Sequence, residues 1–268
     1  MTAKVVTVQV VSVSSLKGGV GKTTITLGLA SAAYASGLRT LIIDMDPQSD
    51  VSAALASRST HGYTVDTILR SPTNKNMKLA IAPSSWTAQG DSAVDVLMGS
   101  QASSQHDVPQ PTRNDLWRLE EALVLIEKRY DLVLIDCPPS FNALTQTAWT
   151  ASDAVAIVAE PGLFSVTAVH RTLNAIESIR QSMSPRIRTA GVIINRHRPD
   201  SREHQFRLGE MDQLFGEHIL TPIIDETLMM QQATGAATPI HRWPGEPSQT
   251  LAQKFDLILR QILNNNRG

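Results

Sequence analysis

The chain has 268 residues, 42% hydrophobic and 18% charged, which is enough to bury a substantial core and fits one large α/β domain. Its 24 Lys+Arg against 25 Asp+Glu leave a formal charge of -1, so no global attraction draws it to nucleic acid or anionic lipid and any such binding needs a local patch. The one cysteine, Cys137, excludes an internal disulfide and a cysteine-held iron–sulfur cluster, and suits a reducing cytosol.

A short polar start is followed by Val5-Val6-Thr7-Val8-Gln9-Val10-Val11-Ser12-Val13. This run lacks the basic n-region and cleavage site of a signal peptide and is too short for a membrane span. It is also too continuous in valine for a strand with one wet face, and predicts a buried parallel strand. Lys17-Gly18-Gly19-Val20-Gly21-Lys22-Thr23-Thr24 comes next, ahead of a helix whose broad apolar face carries Ile25, Leu27, Leu29, Ala30, Ala33 and Tyr34. Glycines at a strand-to-helix joint let backbone N–H groups turn inward on a phosphate, and the helix N-terminus adds partial positive charge. Lys22 is placed to reach terminal phosphates and the Thr23 hydroxyl to ligate Mg²⁺, the pattern of a P-loop.

After a helix stop at Gly37, residues 38–44 predict a second strand, which delivers Asp44-Met45-Asp46-Pro47-Gln48 to the sheet edge where ligands sit. Short helices are expected over 51–57 and 65–69, and a third strand over 77–83. The stretch 84–112, rich in Ser, Gln, Asp and Pro, reads as low-complexity surface, with Trp86 tucked against the preceding strand. Helical periodicity returns over 115–130, with Leu116, Leu119, Ala122, Leu123 and Ile126 on one face. Leu132-Val133-Leu134-Ile135-Asp136 then has the form of a Walker B strand, its carboxylate directed to a metal shell. Further strands are predicted over 154–159 and 187–194, the second ending in Asn195, with a helix between them carrying Val166, Val169, Leu173, Ile176 and Ile179. Arg196, His197, Arg198, Arg202, His204 and Arg207 form the most basic segment, and residues 248–263 predict a last helix packed on the sheet. The alternation implies an α/β fold: a doubly wound, mainly parallel sheet flanked by helices, one P-loop unit spanning 1–268 with a variable surface segment around 84–112.

The loop also carries a second lysine, Lys17, directly before Gly18-Gly19. With it the stretch resembles the deviant Walker A motif (KGGxxKT) of the ParA/MinD family. Asp44 to Gln48 is similar to that family's DxDPQ switch I, and Pro138-Pro139-Ser140 to its switch II. The resemblance is strongest over Lys17 to Gln48 and Asp131 to Ser140, and thin from Arg58 to Asn114. It implies an ATP- and Mg²⁺-dependent ATPase with Lys17, Lys22 and Asp46 as catalytic residues: Asp46 positions the attacking water, and Lys17 reaches the nucleotide of a partner subunit. Residues Lys17, Gly18, Gly19, Val20, Gly21, Lys22, Thr23 and Thr24 would hold the nucleotide, with Asn195 at the adenine edge and Thr23, Asp44 and Asp136 at the metal.

The resemblance further implies an ATP-dependent homodimer, non-specific DNA binding, a ParB-like partner that stimulates slow hydrolysis, and a cytoplasmic, nucleoid-associated protein. Arg196, Arg198, Arg202 and Arg207 are the candidate phosphate-backbone contacts. One departure weakens the DNA reading: Ile224-Asp225-Glu226-Thr227 stands where many relatives carry Ile-Pro-Arg. No helix-turn-helix precedes the first strand, so operator-specific repression is not expected. A MinD-like membrane-associated positioning ATPase is the alternative, although the last helix carries few cations, Lys254 and Arg260, and stable membrane binding is not expected. A small-molecule enzyme on the same fold is the other competitor.

Overall fold

The computed structural model describes residues 8–57, 61–87 and 94–265. Its strands are β1 (Gln9–Ser14), β2 (Thr40–Asp44), β3 (Ile81–Pro83), β4 (Val94–Leu97), β5 (Leu132–Asp136), β6 (Ala154–Ala159), β7 (Arg188–Ile194) and β8 (Ile219–Leu220). Its α-helices are α1 (Lys22–Ala35), α2 (Asp50–Ala54), α3 (Val65–Arg70), α4 (Asn74–Ala80), α5 (Arg113–Val124), α6 (Ala143–Thr150), α7 (Leu163–Ser182), α8 (Arg202–Phe215), α9 (Met229–Gly235) and α10 (Glu246–Asn265).

Among the described residues the strands form one eight-stranded sheet in the order β3-β4-β2-β5-β1-β6-β7-β8. All pairs are parallel except β3 with β4. The chain leaves β1 toward β2 on one side, while β6 flanks β1 on the other, so the connection after β1 opens at a topological switch point, where such sheets bind ligands.

Side chains alternate across the sheet and build two cores. Val11, Val13, Ile42, Leu134 and Ala156 face α1 and α10, where Leu29, Phe255 and Ile258 meet them. Val10, Leu41, Ile43, Ile135 and Ile157 face the opposite helices through Leu119, Leu123, Trp149, Ile176 and Met211. Helix α1 is apolar nearly all round because it is buried between the sheet and α10. Gly28 allows that approach: a Cβ there would lie 2.2 Å from the Phe255 ring. Helix α10 buries its apolar face mainly against α1 and only in part against the sheet at β7, where packing on the sheet was expected.

Three expectations are corrected. Residues 77–80 belong to helix α4, whose Thr73 hydroxyl accepts from the Asn76 N–H, and only Ile81–Pro83 is strand. Thr-x-x-Asn capping outweighs the strand propensity of so short an apolar run. The stretch 84–112 is not all surface: Val94–Leu97 is inserted beside β2, with Val94, Val96 and Leu97 fully buried. Four residues of strand within a polar sequence give little periodicity to read. Trp86 is buried, but against the Tyr34 ring of α1, centroids 6.3 Å apart. Residues 5–7 of the first valine run and 88–93 of the polar stretch lie outside the described residues.

Candidate nucleotide and metal site

The loop joining β1 to α1 is held in shape from both ends. Gly19 (φ 80°) and Gly21 (φ 89°) adopt the left-handed conformation that side chains disfavour. Gly21 has a second reason to be glycine: a Cβ would stand 2.4 Å from Asn195 Nδ2. That amide, at the end of β7, donates to the Val20 carbonyl at 2.8 Å, and buried Val20 pins the loop from below. Gly18 and Gly19 are left exposed on the rim. Helix α1 starts at Lys22 with no side-chain cap on its first N–H groups and no acid in its first turn. Uncapped donors, a helix dipole and a nearly buried Lys22 suit a polyphosphate.

Two carboxylates lie beneath this cradle. Asp44 and Asp136 end adjacent strands in register, and Met45 N–H donates to the Asp136 carbonyl at 3.0 Å, extending the ladder past both acids. The Thr23 hydroxyl donates to Asp136 Oδ2 at 2.8 Å and the Thr26 hydroxyl to Oδ1 at 2.7 Å. Burial, followed by the charge of Asp44, pushes the Asp136 carboxyl up to about 7 against the pull of those hydroxyls and of Lys22. Burial likewise raises Asp44 to about 6, although Ser52 donates to its Oδ2 through both N–H (2.9 Å) and hydroxyl (2.7 Å). Asp44 Oδ1 is buried and accepts no hydrogen bond.

Two buried acids held above their ordinary range and an orphaned carboxylate oxygen fit a hard divalent cation. Among the described residues no cluster of three or more His, Cys, Asp or Glu could hold a metal alone. A cation here therefore needs oxygens supplied by a ligand and water beside Thr23, as Mg²⁺ has when it travels with a nucleotide. Cys137, raised to about 12 by burial, is an inert core thiol.

The remaining expected residues stand on the rim. Lys17 is half-buried, with Nζ 3.4 Å from the Ser165 hydroxyl at the start of α7. Asp46 lies in the turn after β2, half-buried, with Oδ1 accepting from the Gln48 N–H at 3.0 Å. Pro139 touches the P-loop, its Cβ 3.9 Å from where a Cβ on Gly18 would be, so the turn after Asp136 borders the phosphate cradle.

The family model AAA_31, described as an AAA domain, matches residues 8–189. The chromosome partitioning protein ParA of Caulobacter vibrioides is 30% identical over 241 residues, covering 87% of this chain and 86% of its own. The chain belongs to the ParA/MinD family of P-loop ATPases. The Treponema pallidum chromosome-partitioning ATPase Soj is 23% identical over 92% of this chain and 94% of its own. Among solved structures, a Cyanothece McdA–ATP complex superposes with a TM-score of 0.81 at 20% identity, covering 95% of this chain and 96% of the other. Mycobacterium smegmatis cobyrinic acid a,c-diamide synthase with ADP and magnesium gives 0.77 at 21%, with 96% of each chain covered. At that identity the two structures establish the fold alone, and the fold hosts both partition ATPases and a biosynthetic enzyme.

For this ParA/MinD-family chain the four candidate arginines are not brought together as a bare basic face. Arg196, at φ 54°, folds back so that its guanidinium donates to the Gly19 carbonyl on the P-loop rim at 2.5 Å. Arg207 sits between Glu203 and Glu210 of its own helix, 2.7 Å from each. Arg198 faces Glu226 at 3.7 Å with both side chains more than half exposed. Arg202 opens α8 and is exposed. Sequence reasoning missed Thr26 and Ser52, which bond the two acids directly. Thr26 falls one turn after Lys22, a spacing that signals a shared helix face; nothing in the sequence singles out Ser52.

Proposed function

We propose that the chain is a ParA-like ATPase that binds ATP with Mg²⁺, dimerises around it and hydrolyses it slowly, with nucleotide state switching its hold on non-specific DNA. The observation that carries this reading is the pair of lysines flanking the glycine turn: Lys22 nearly buried at the helix start, and Lys17 on the rim directed to Ser165. A rim lysine is of little use to a nucleotide already served by Lys22, but suits one held by a facing subunit. Leu163 (56% exposed) and Phe164 (72% exposed) stand beside Ser165, an apolar surface suited to a second copy.

Bound Mg²⁺ would supply neutralisation of developing phosphate charge, with Thr23, Asp44 and Asp136 holding its shell in this proposal. Lys22 binds terminal phosphates, Asn195 stands at the cradle's edge for the adenine, and Asp46 orients the water. DNA contact is assigned to the face around Arg198 and Arg202, where exposed, solvated pairing is easily exchanged for phosphate. A ParB-like partner that accelerates hydrolysis, and a cytoplasmic, nucleoid-associated protein, complete the proposal. No helix among the described residues is long and apolar enough to cross a membrane.

The test is co-sedimentation with DNA and with anionic liposomes, in ATP, in ADP and without nucleotide, over a salt series. ATP-dependent, salt-sensitive pelleting with DNA alone is expected. Pelleting with liposomes alone would transfer the chain to the membrane-positioning class, and nucleotide-independent behaviour with both would reject a switched carrier.

A further inference from the structure

Residues 98–107, within the stretch whose sequence suggests solvated surface, touch the exits of both acid-bearing strands. The Ser52 hydroxyl that donates to Asp44 Oδ2 also accepts from the Gly99 N–H at 2.9 Å. Gly99 lies against the carboxylate itself: a Cβ there would stand 2.8 Å from Asp44 Cγ and 2.7 Å from the Ser49 hydroxyl. Beside it the Met98 carbonyl accepts from Val65 N–H at 2.8 Å. A 3₁₀ turn, Gln101–His106, follows, with Ser103 buried and His106 Nε2 3.0 Å from Asp66. At the far end Asp107 accepts from Leu144 N–H at 3.1 Å and from Asn142 Nδ2 at 3.2 Å, which fixes the N-terminus of α6 just beyond Pro138-Pro139-Ser140.

Both bonds from Ser52 fall on one oxygen of Asp44, and the other is left without a partner. A buried carboxylate bonded on one oxygen and walled by Gly99 keeps one orientation, with Oδ1 as the atom available to a metal-water shell. A hydroxyl that donates and accepts at once links that orientation to the backbone of the neighbouring segment.

We propose that Ser52 and Gly99 are positioning residues that hold Asp44 with Oδ1 toward the metal, and that the strap 99–107 ties that carboxylate to the N-terminus of α6 through Asp107. The inference rests on the nucleotide–Mg²⁺ reading of the site. Through the strap, a shift of Asp44 on loading of the site is felt at the turn after Asp136 without passing through the P-loop.

The experiment is calorimetric titration of ADP into the full chain in Mg²⁺ and in EDTA, with hydrogen exchange on the same samples and circular dichroism to confirm folding. Ser52→Ala should keep the EDTA affinity and lose the Mg²⁺-dependent gain by about 10-fold or more, the cost typical of removing a ligand's supporting hydrogen bond. Ser52→Thr, which keeps the hydroxyl, should restore it, and Gly99→Ala should reproduce the loss by crowding Asp44. Asp107→Ala should keep the Mg²⁺ gain but abolish ADP–Mg²⁺-induced protection at 141–146. An unchanged Mg²⁺ gain in folded Ser52→Ala, or unchanged protection at 141–146 in Asp107→Ala, overturns the proposal. Absence of Mg²⁺-dependent ADP binding by the wild type would instead remove the nucleotide reading, and this inference with it.

Discussion

Replacing Asp136 with Asn should stabilise the empty protein while disabling it. The carboxyl is buried, beside Asp44, and raised from the ordinary 3.8 to about 7. At about 1.4 kcal/mol per tenfold that elevation corresponds to an upper bound of about 4 kcal/mol of destabilisation when the group is ionised. Asn preserves the shape, and the Thr23 and Thr26 hydroxyls can turn to accept from its amide as well as donate to its carbonyl. Imperfect rearrangement leaves an expected gain of about 1–2 kcal/mol at pH 8, or roughly 2–8 °C in Tm for a chain of this size.

The sign with pH follows from the elevated pKa. The wild type bears no penalty below the unfolded value near 3.8, and bears all of it once pH has risen through about 7. The advantage of Asp136→Asn should therefore hold from pH 8 to about 7 and shrink below that, toward pH 4. Thermal unfolding followed by circular dichroism in EDTA at pH 8, 6.5, 5 and 4 reads it directly, and Mg²⁺-dependent ADP binding should be lost in the same variant. A variant less stable than wild type at pH 8, or equally advantaged at every pH, would refute the reasoning.

Lys22→Ala removes a nearly buried charge from the start of α1 and should weaken nucleotide binding by roughly 100-fold or more, about 3 kcal/mol for a charge-assisted bond, as read by fluorescent-ADP titration. Asp46→Ala should still bind ATP but release phosphate at least about 100-fold more slowly, because a half-buried carboxylate in the turn after β2 no longer orients water; brisk phosphate release would assign that role elsewhere. Paired Arg198→Glu and Arg202→Glu should abolish ATP-dependent DNA retention, leave nucleotide affinity unchanged and, where residual binding is measurable, lower its salt slope by roughly 2. Unchanged mobility shifts would move the DNA surface off the start of α8 and the loop before it.

Most of what positions the site was legible because it is local. A valine strand, a glycine turn and a helix in succession specify the P-loop, and an apolar run closed by an acid specifies β2 and β5. What stayed hidden depends on contacts distant in sequence. Residues 77–80 are the local exception, following a helix cap rather than their strand propensity, whereas β4 is held by β2 and by burial, with no periodicity of its own. The neutralisation of Arg207 by Glu203 and Glu210 follows helix spacing and could have been read. The folding of Arg196 onto Gly19 could not, since it spans most of the chain. Ser52 and Gly99 were silent for the same reason: only the fold brings Gly99, two residues beyond β4, against Ser52 and the carboxylate that ends β2.

The central claim is that nucleotide in the first βα turn joins two copies through Lys17. Light-scattering mass across a gel-filtration peak, with a nonhydrolysable ATP analogue and Mg²⁺, tests it most directly. The wild type should run as a monomer in ADP and a dimer in the analogue, and Lys17→Ala should remain a monomer in both. A wild type that stays monomeric at saturating analogue, or a Lys17→Ala variant that dimerises as readily as wild type, would contradict it.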